Sequence, residues 1–236
     1  MTNIYDIVMI VIASRSTLYD ELIRKYWVPF LNYINNKNIK IIFMFGNNTS
    51  YMDLNIPKEN IYISNTLESY TPGILLKTIQ TMDFVNKNFV YKHILRTNLS
   101  SFFILENLLK TCYLLPDRNL YAGVIGNHNN ILFASGAGFW MSKDIVEKII
   151  AYKNNIDYNI IDDVAIGKLL SSISIQITPL PRYDLDKNIP YDDEEKSIIL
   201  NEIIANNHYH IRIKNTNNNK IDIDIMTFYT LKLYKN

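Results

Sequence analysis

The sequence predicts an α/β fold, a mixed but mostly parallel sheet covered by helices on both faces. Three observations predict it. Apolar runs of strand length alternate with segments of helical spacing from the start of the chain. The first runs, DIVMIVIA and IKIIFMF, carry no alternating polar positions, as strands buried on both faces must not. Finally, 236 residues with 48% hydrophobic and 20% charged side chains are enough for one sizeable core. No repeat or clear linker interrupts the chain, so residues 1–236 read as a single domain.

The elements follow in order. Residues 7–12 are a fully apolar strand, and residues 17–36 place Leu18, Leu22, Tyr26, Trp27, Phe30, Leu31 and Ile34 at helical spacing, with a kink expected at Pro29. Residues 39–45 form a second buried strand ending at Gly46, and 60–63 a short third one. A helix is expected over 71–88, with Pro72 in its first turn. A fourth strand covers 91–95, and a helix over 101–115 stops before Pro116. Strands at 120–125 and 131–134 flank a polar hairpin turn at 126–130, and Ser142 is placed to cap a helix over 143–152. After a helix opening at Asp162, residues 172–180 (SISIQITPL) alternate as a strand, 183–196 read as a polar loop, and 208–215 (HYHIRIKN) as another strand. Residues 214–220 are an Asn-rich turn, and the tail from Lys220 is a terminal helix.

Composition excludes several function classes. A net charge of +1 gives no general attraction for nucleic acid. The apolar start is too short to span a bilayer, and no other segment is long enough. Cys112 is the only cysteine, so an intrachain disulfide and a cysteine-based metal site are both excluded; within a helix it reads as a small buried hydrophobe.

Two phrases carry the chemistry. ASGAGFWMS (134–142) is a glycine-softened stretch, and IDDVAIGKLL (161–170) presents Asp162 and Asp163 at a helix start. Adjacent aspartates there commonly cap a helix or complement its dipole. Beside an open sheet edge, a carboxylate can instead accept the proton of an attacking hydroxyl, with Asp163 as base and Asp162 positioning it or the acceptor. Gly136 and Gly138 either let backbone approach a ligand or turn the chain, and Trp140 is either core or a sugar-stacking platform. In HILRTNLSSF (93–102), Arg96, Asn98 and Ser100 follow a strand, where a guanidinium can grip phosphate. The alternative there is a plain helix entry capped by Ser100. Alternation in HYHIRIKN puts His208, His210, Arg212 and Lys214 on one strand face. That face is either the polar outside of an edge strand or a basic wall beside a diphosphate; the two His could also share a metal with a carboxylate.

In order, these phrases resemble the β1,3-galactosyltransferase/Fringe group of glycosyltransferases, over about 7–180. Ile23, Arg24, Lys25, Tyr26 and Trp27 resemble the group's Ile-Arg-x-Thr-Trp helix. Glu68, Tyr70, Leu76, Lys77 and Thr78 resemble its Asp-x-Tyr and Leu-x-x-Lys-Thr segment. ASGAGFWMS resembles its Gly-x-Gly-Tyr-x-x-Ser stretch, and IDDVAIG its Glu-Asp-Val-x-x-Gly motif, with the central Asp on Asp163. The resemblance implies a GT-A, Rossmann-like fold and an inverting transfer from a nucleotide-sugar donor, UDP-linked first of all, to a glycan or glycoconjugate hydroxyl. Ser14, Arg15, Arg96, Asn98, Ser100, His210, Arg212 and Lys214 would then face the donor, and Gly136, Gly138 and Trp140 the acceptor side.

The group holds a manganese-type cation with an Asp-x-Asp motif, where this chain has Asn98, Leu99 and Ser100. A hard cation wants carboxylate oxygens. The substitution implies either metal-independent transfer, with Arg96, Arg212 and Lys214 offsetting the diphosphate, or an inactive relative that only binds sugar nucleotides or glycans. The group's usual members are anchored, disulfide-bonded Golgi proteins. Lacking both features in its sequence, this chain is expected to be soluble and cytoplasmic, of microbial or viral source, and in the host cytoplasm if viral.

Overall fold

A computed structural model describes residues 4–35, 37–185, 192–214 and 221–234. Strand β1 (Ile4–Ile12) lies at the centre, parallel to β2 (Ile39–Phe45) on one side and β4 (Val90–Asn98) on the other. Its alternation sorts the core: Ile7, Met9 and Val11 face one apolar cluster, Val8 and Ile10 the other. Strand β3 (Ile61–Ile63) extends the sheet beyond β2. On the far side of β4 come β7 (Ile131–Ser142), β6 (Tyr121–His128) and β8 (Thr178–Pro179), giving the order β3-β2-β1-β4-β7-β6-β8. Only β7 runs against the others. Helices α3 (Gly73–Asn88), α5 (Lys143–Ala151) and α6 (Asp162–Ser172) cover one face. The other is covered by α1 (Thr17–Leu22), α2 (Val28–Tyr33), α4 (Leu105–Leu114), α7 (Asp193–Ala205) and α8 (Ile223–Tyr234). The expected fold class holds.

Several elements differ from expectation. Between α1 and α2 the helix widens into a π-helical turn, Ile23–Trp27, which ends as Val28 N–H reaches back to Ile23. The wide turn precedes Pro29, whose ring would otherwise press on the carbonyl four residues earlier. Pro72 stands at the N-cap of α3, outside its first turn. Ser101–Phe103 is not helix but strand β5, paired with β10 (His210–Arg212), which in turn pairs with β9 (Tyr183–Asp184) in a second, three-stranded sheet. The alternating run 172–180 contributes only Thr178–Pro179 to a sheet, because one short edge is all it finds to pair with. Of the expected loop 183–196, the first two residues are β9, residues 186–191 lie outside the described residues, and the end opens α7. Asp192 caps that helix, accepting from Glu195 N–H at 2.8 Å. The Asn-rich turn falls mostly on 215–220, also outside the described residues.

The hairpin turn of β6 and β7 is made by Asn129 and Asn130, both with positive φ (51° and 66°), as a two-residue turn matched to strand twist requires. Further along, the ladder jumps from Ile125 opposite Ala134 to Gly123 opposite Phe139. Residues 135–138 therefore bulge where β6 offers one residue against them. Bulges of this kind re-aim backbone groups beside functional sites.

Candidate active site

The bulge is held by side chains. The Ala137 carbonyl accepts the hydroxyls of Thr97 and Ser101, both at 2.7 Å. The Gly136 carbonyl accepts from the Arg96 guanidinium, and the Gly136 N–H donates to Asp163 Oδ2 at 2.8 Å. These three backbone groups, which leave the ladder, are thus satisfied. A methyl group at Gly136 would sit 2.7 Å from Arg96 Nη1 and 2.9 Å from Asp163 Oδ2, so glycine is what lets both side chains converge on the strand. Both glycines lie within β7, and Gly136 also lines the cavity described below. Gly138 makes room for the His210 ring, whose nearest carbon would be 2.5 Å from an added Cβ.

The ends of β1 and β4, the bulge, the start of α6 and the chain after β10 surround one cavity of about 310 Å³. It lies outside the carboxyl ends of the parallel strands, where open α/β sheets bind ligands. Ser14, Arg96, Asn98, Ser100, Gly136, Asp162, Asp163, Arg212 and Lys214 all line it. Sequence reasoning gave no cavity role to Tyr19 or Ser135, nor a site role to Arg182, whose Nη1 donates to Ser135 at 3.0 Å. No periodic or motif signal marks them; Ser135 arrives through the bulge, Arg182 just ahead of β9, and Tyr19 on α1.

The two aspartates differ. Asp162 is buried and ion-paired to Arg96, and burial pushes its carboxyl above the ordinary range against the pull of that guanidinium. Asp163 is half-buried, its Oδ1 accepting Val164 N–H at 2.9 Å and its Oδ2 Gly136 N–H. Neither is the N-cap of α6, which is Ile161. Each Asp163 oxygen keeps a second lone pair.

Four of the expected donor- or acceptor-side residues are engaged within the protein itself. Arg96 is 2% exposed and its terminal nitrogens bind Gly136 and Asp162. Arg15 lies outside the cavity lining, forked between Asp20 and Asp53, which raise its pKa further. His210 is buried against Phe103, at 4.8 Å between ring centroids; burial, with Arg182 and Arg212 nearby, holds it well below the usual imidazole range and therefore neutral. It is in a central strand, so its face is not the polar outside of an edge. Trp140 is core, donating to the Tyr209 hydroxyl at 3.1 Å. Cys112 is buried, its thiol pushed up to about 12 by desolvation.

The residues present do not fit a hard divalent cation. Asn98 Oδ1 accepts from Ser100 N–H (3.2 Å), Ser100 Oγ (2.9 Å) and Ser101 Oγ (3.2 Å), spending on its own turn the oxygen that would face a metal. No three His, Cys, Asp or Glu gather to hold a metal among the described residues. Among the same residues no helix is long and apolar enough to cross a membrane.

Residues 123–181, which include the bulge and both aspartates, match the family model described as galactosyltransferase. No curated protein sequence matches the chain. Among solved structures, a glycosyltransferase involved in glycosylating the major capsid of PBCV-1 aligns over 96% of this chain and 98% of its own, at 11% identity and a TM-score of 0.52. The galactosyltransferase LgtC, solved with donor and acceptor sugar analogues, aligns over 75% of this chain and 76% of its own (8% identity, TM-score 0.43). A Drosophila β1,4-galactosyltransferase 7 variant, solved with manganese, UDP-Gal and xylobiose, aligns over 73% and 64% (9% identity, TM-score 0.45). The fold is GT-A-like, and the family match adds a galactosyltransferase-like segment around the cavity.

Proposed function

We propose that the protein is an inverting glycosyltransferase that moves a sugar from a nucleotide-sugar donor, UDP-linked in the first instance, to a hydroxyl of a glycan or glycoconjugate, without a divalent metal. The observation that carries this reading is the unequal pair of carboxylates. Asp162 is committed to Arg96, which among the described residues leaves Asp163 as the carboxylate oriented and accessible at the cavity. One available carboxylate suits a single displacement. The acceptor hydroxyl gives its proton to Asp163, its oxygen forms the new bond to the anomeric carbon, and the nucleotide diphosphate departs with the electron pair of the broken bond. A double displacement would instead use that carboxylate as the nucleophile of a covalent glycosyl-enzyme intermediate.

Arg212 and Lys214, on the same wall of the cavity, are the groups that offset the charge of the departing diphosphate. Among the described residues Lys214 makes no ion pair, so its ammonium is available for that task. Tyr70, at 69% exposure on the rim, offers an aromatic face to a sugar ring.

The test uses the purified protein, a panel of nucleotide sugars and Asp163→Asn. A donor that binds the native state raises the melting temperature by mass action. The expected result is a shift from one donor that EDTA leaves unchanged, retained in Asp163→Asn, with transfer reduced by about 10²–10⁴-fold in that variant. Undiminished transfer in Asp163→Asn would remove it from the mechanism. A shift that requires manganese would end the metal-free reading, and donor binding without turnover in the parent protein would make it a binding relative.

A further inference from the structure

Gly136 is gripped from two directions: Arg96 Nη1 donates to its carbonyl, and its own N–H donates to Asp163 Oδ2 at 2.8 Å. The same guanidinium, through Nη2, holds the carboxylate of Asp162, the residue next to Asp163 on α6. One cation therefore ties the bulge of β7 to the start of α6, and Asp163 hangs between the two parts that it ties. We infer that Arg96 is a positioning residue that sets the Asp163 carboxylate through Gly136, and that it is not a ligand of the donor's phosphates. The inference rests on the reading of Asp163 as the base.

Three features support it. The guanidinium is almost entirely buried, and its charge is already matched by Asp162. It lies 5.4 Å from the centroid of the Phe139 ring, a neighbour on β7 that fixes its height over the sheet. Its task needs a rigid fork, since two acceptors on different elements must be held at once, and a lysine ammonium is a single point on a flexible stem. Gly136 completes the device, because a side chain there would collide with both Arg96 and Asp163.

The experiment exploits a feature of the sequence: Ser135-Gly136 is the only Ser-Gly dipeptide in the chain. Full-length protein labelled with ¹³C-carbonyl serine and ¹⁵N glycine then gives one correlated amide signal, that of Gly136, whether or not a substrate is known. In the parent protein this signal reports the Gly136 N–H held by the Asp163 carboxylate, and Asp163→Asn should displace it. Arg96→Lys should displace the signal as well. If the Gly136 signal ignores both substitutions, the inference is overturned.

A kinetic arm reads the same question. Arg96→Met combined with Asp162→Asn removes both charges of the buried pair, so neither is left unmatched. We expect kcat to fall by about 10²-fold, the scale of a small misplacement of a reacting group, with the donor KM within about twofold of the parent. A large rise in donor KM with kcat preserved would make Arg96 a donor ligand and overturn the inference. Should the parent protein transfer no sugar from any donor, the glycosyltransferase reading fails, and the Gly136 signal still decides whether Arg96 sets Asp163.

Discussion

Lys77 and Arg96 stand at the same edge of the sheet, each buried and each paired with a carboxylate, yet they are built into the molecule differently. Lys77 Nζ reaches Glu68 at 2.7 Å and the Ala13 carbonyl at 2.8 Å, and Glu68 accepts the Gly46 N–H with its other oxygen. That pair fastens the ends of β1 and β2 to the loop before α3. Glu68 keeps 21% of its side chain exposed, whereas Asp162 keeps 9%. The first pair therefore closes a scaffold that water still touches. The second lies inside the cavity wall and orients a reactive group. Flexible ammonium and rigid guanidinium are suited to those two tasks in turn.

The largest expected effect comes from leaving a buried charge alone. Arg96→Met should cost about 3–5 kcal/mol in urea unfolding, because Asp162 is left buried with no cation to match it. Lys77→Met should cost less, about 1–3 kcal/mol, since Glu68 retains contact with water and with the Gly46 N–H. Equal losses would show the two pairs to be equivalent and break the comparison. Next comes Gly136→Ala, whose added methyl must displace Arg96 or Asp163; overpacking of this kind costs about 1–3 kcal/mol, and transfer should fall with it.

The smallest effect is a difference in pH response. Burial raises the folded pKa of Asp162, so its contribution is present below the unfolded value of about 3.8 and is lost as pH rises through the folded value. Burial lowers that of Lys77, so its contribution is present above about 10.5 and is lost as pH falls through the folded value. Unfolding free energies against pH should therefore slope downward on the acid side and upward on the alkaline side from these two groups. Asp162→Asn should flatten the first slope and Lys77→Met the second. A parallel response in both variants would remove the distinction.

Much of the scaffold was legible. Strand β2 matches its expected bounds, and β1 and α3 differ from theirs only at one end, since an apolar run between polar punctuation leaves the chain little choice of state. The helix expected over 101–115 was half right for an instructive reason. SSFFILENLL carries helical spacing throughout, but Phe102 finds Ile211 across a ladder, and the pairing overrides local preference for its first three residues. Helix α7 had a readable signal in the Asp192-x-x-Glu195 capping pattern ahead of Leu200 and Ile203, which the polar run around it obscured.

The chemistry was legible as residue types and not as partnerships. Asp162-Asp163 lines the cavity, and the sequence alone determined that a carboxylate pair opens a helix beside a mostly parallel sheet, because hydrophobic periodicity and helix-start signals act within a few residues. Which aspartate is free, what Arg96 binds and why residue 136 is glycine were decided only by the tertiary structure. Arg96 meets Gly136 across 40 residues and Asp162 across 66, and the bulge that brings them together exists because β6 and β7 fall out of register. A pattern in one segment cannot specify a contact whose geometry depends on where another strand comes to rest.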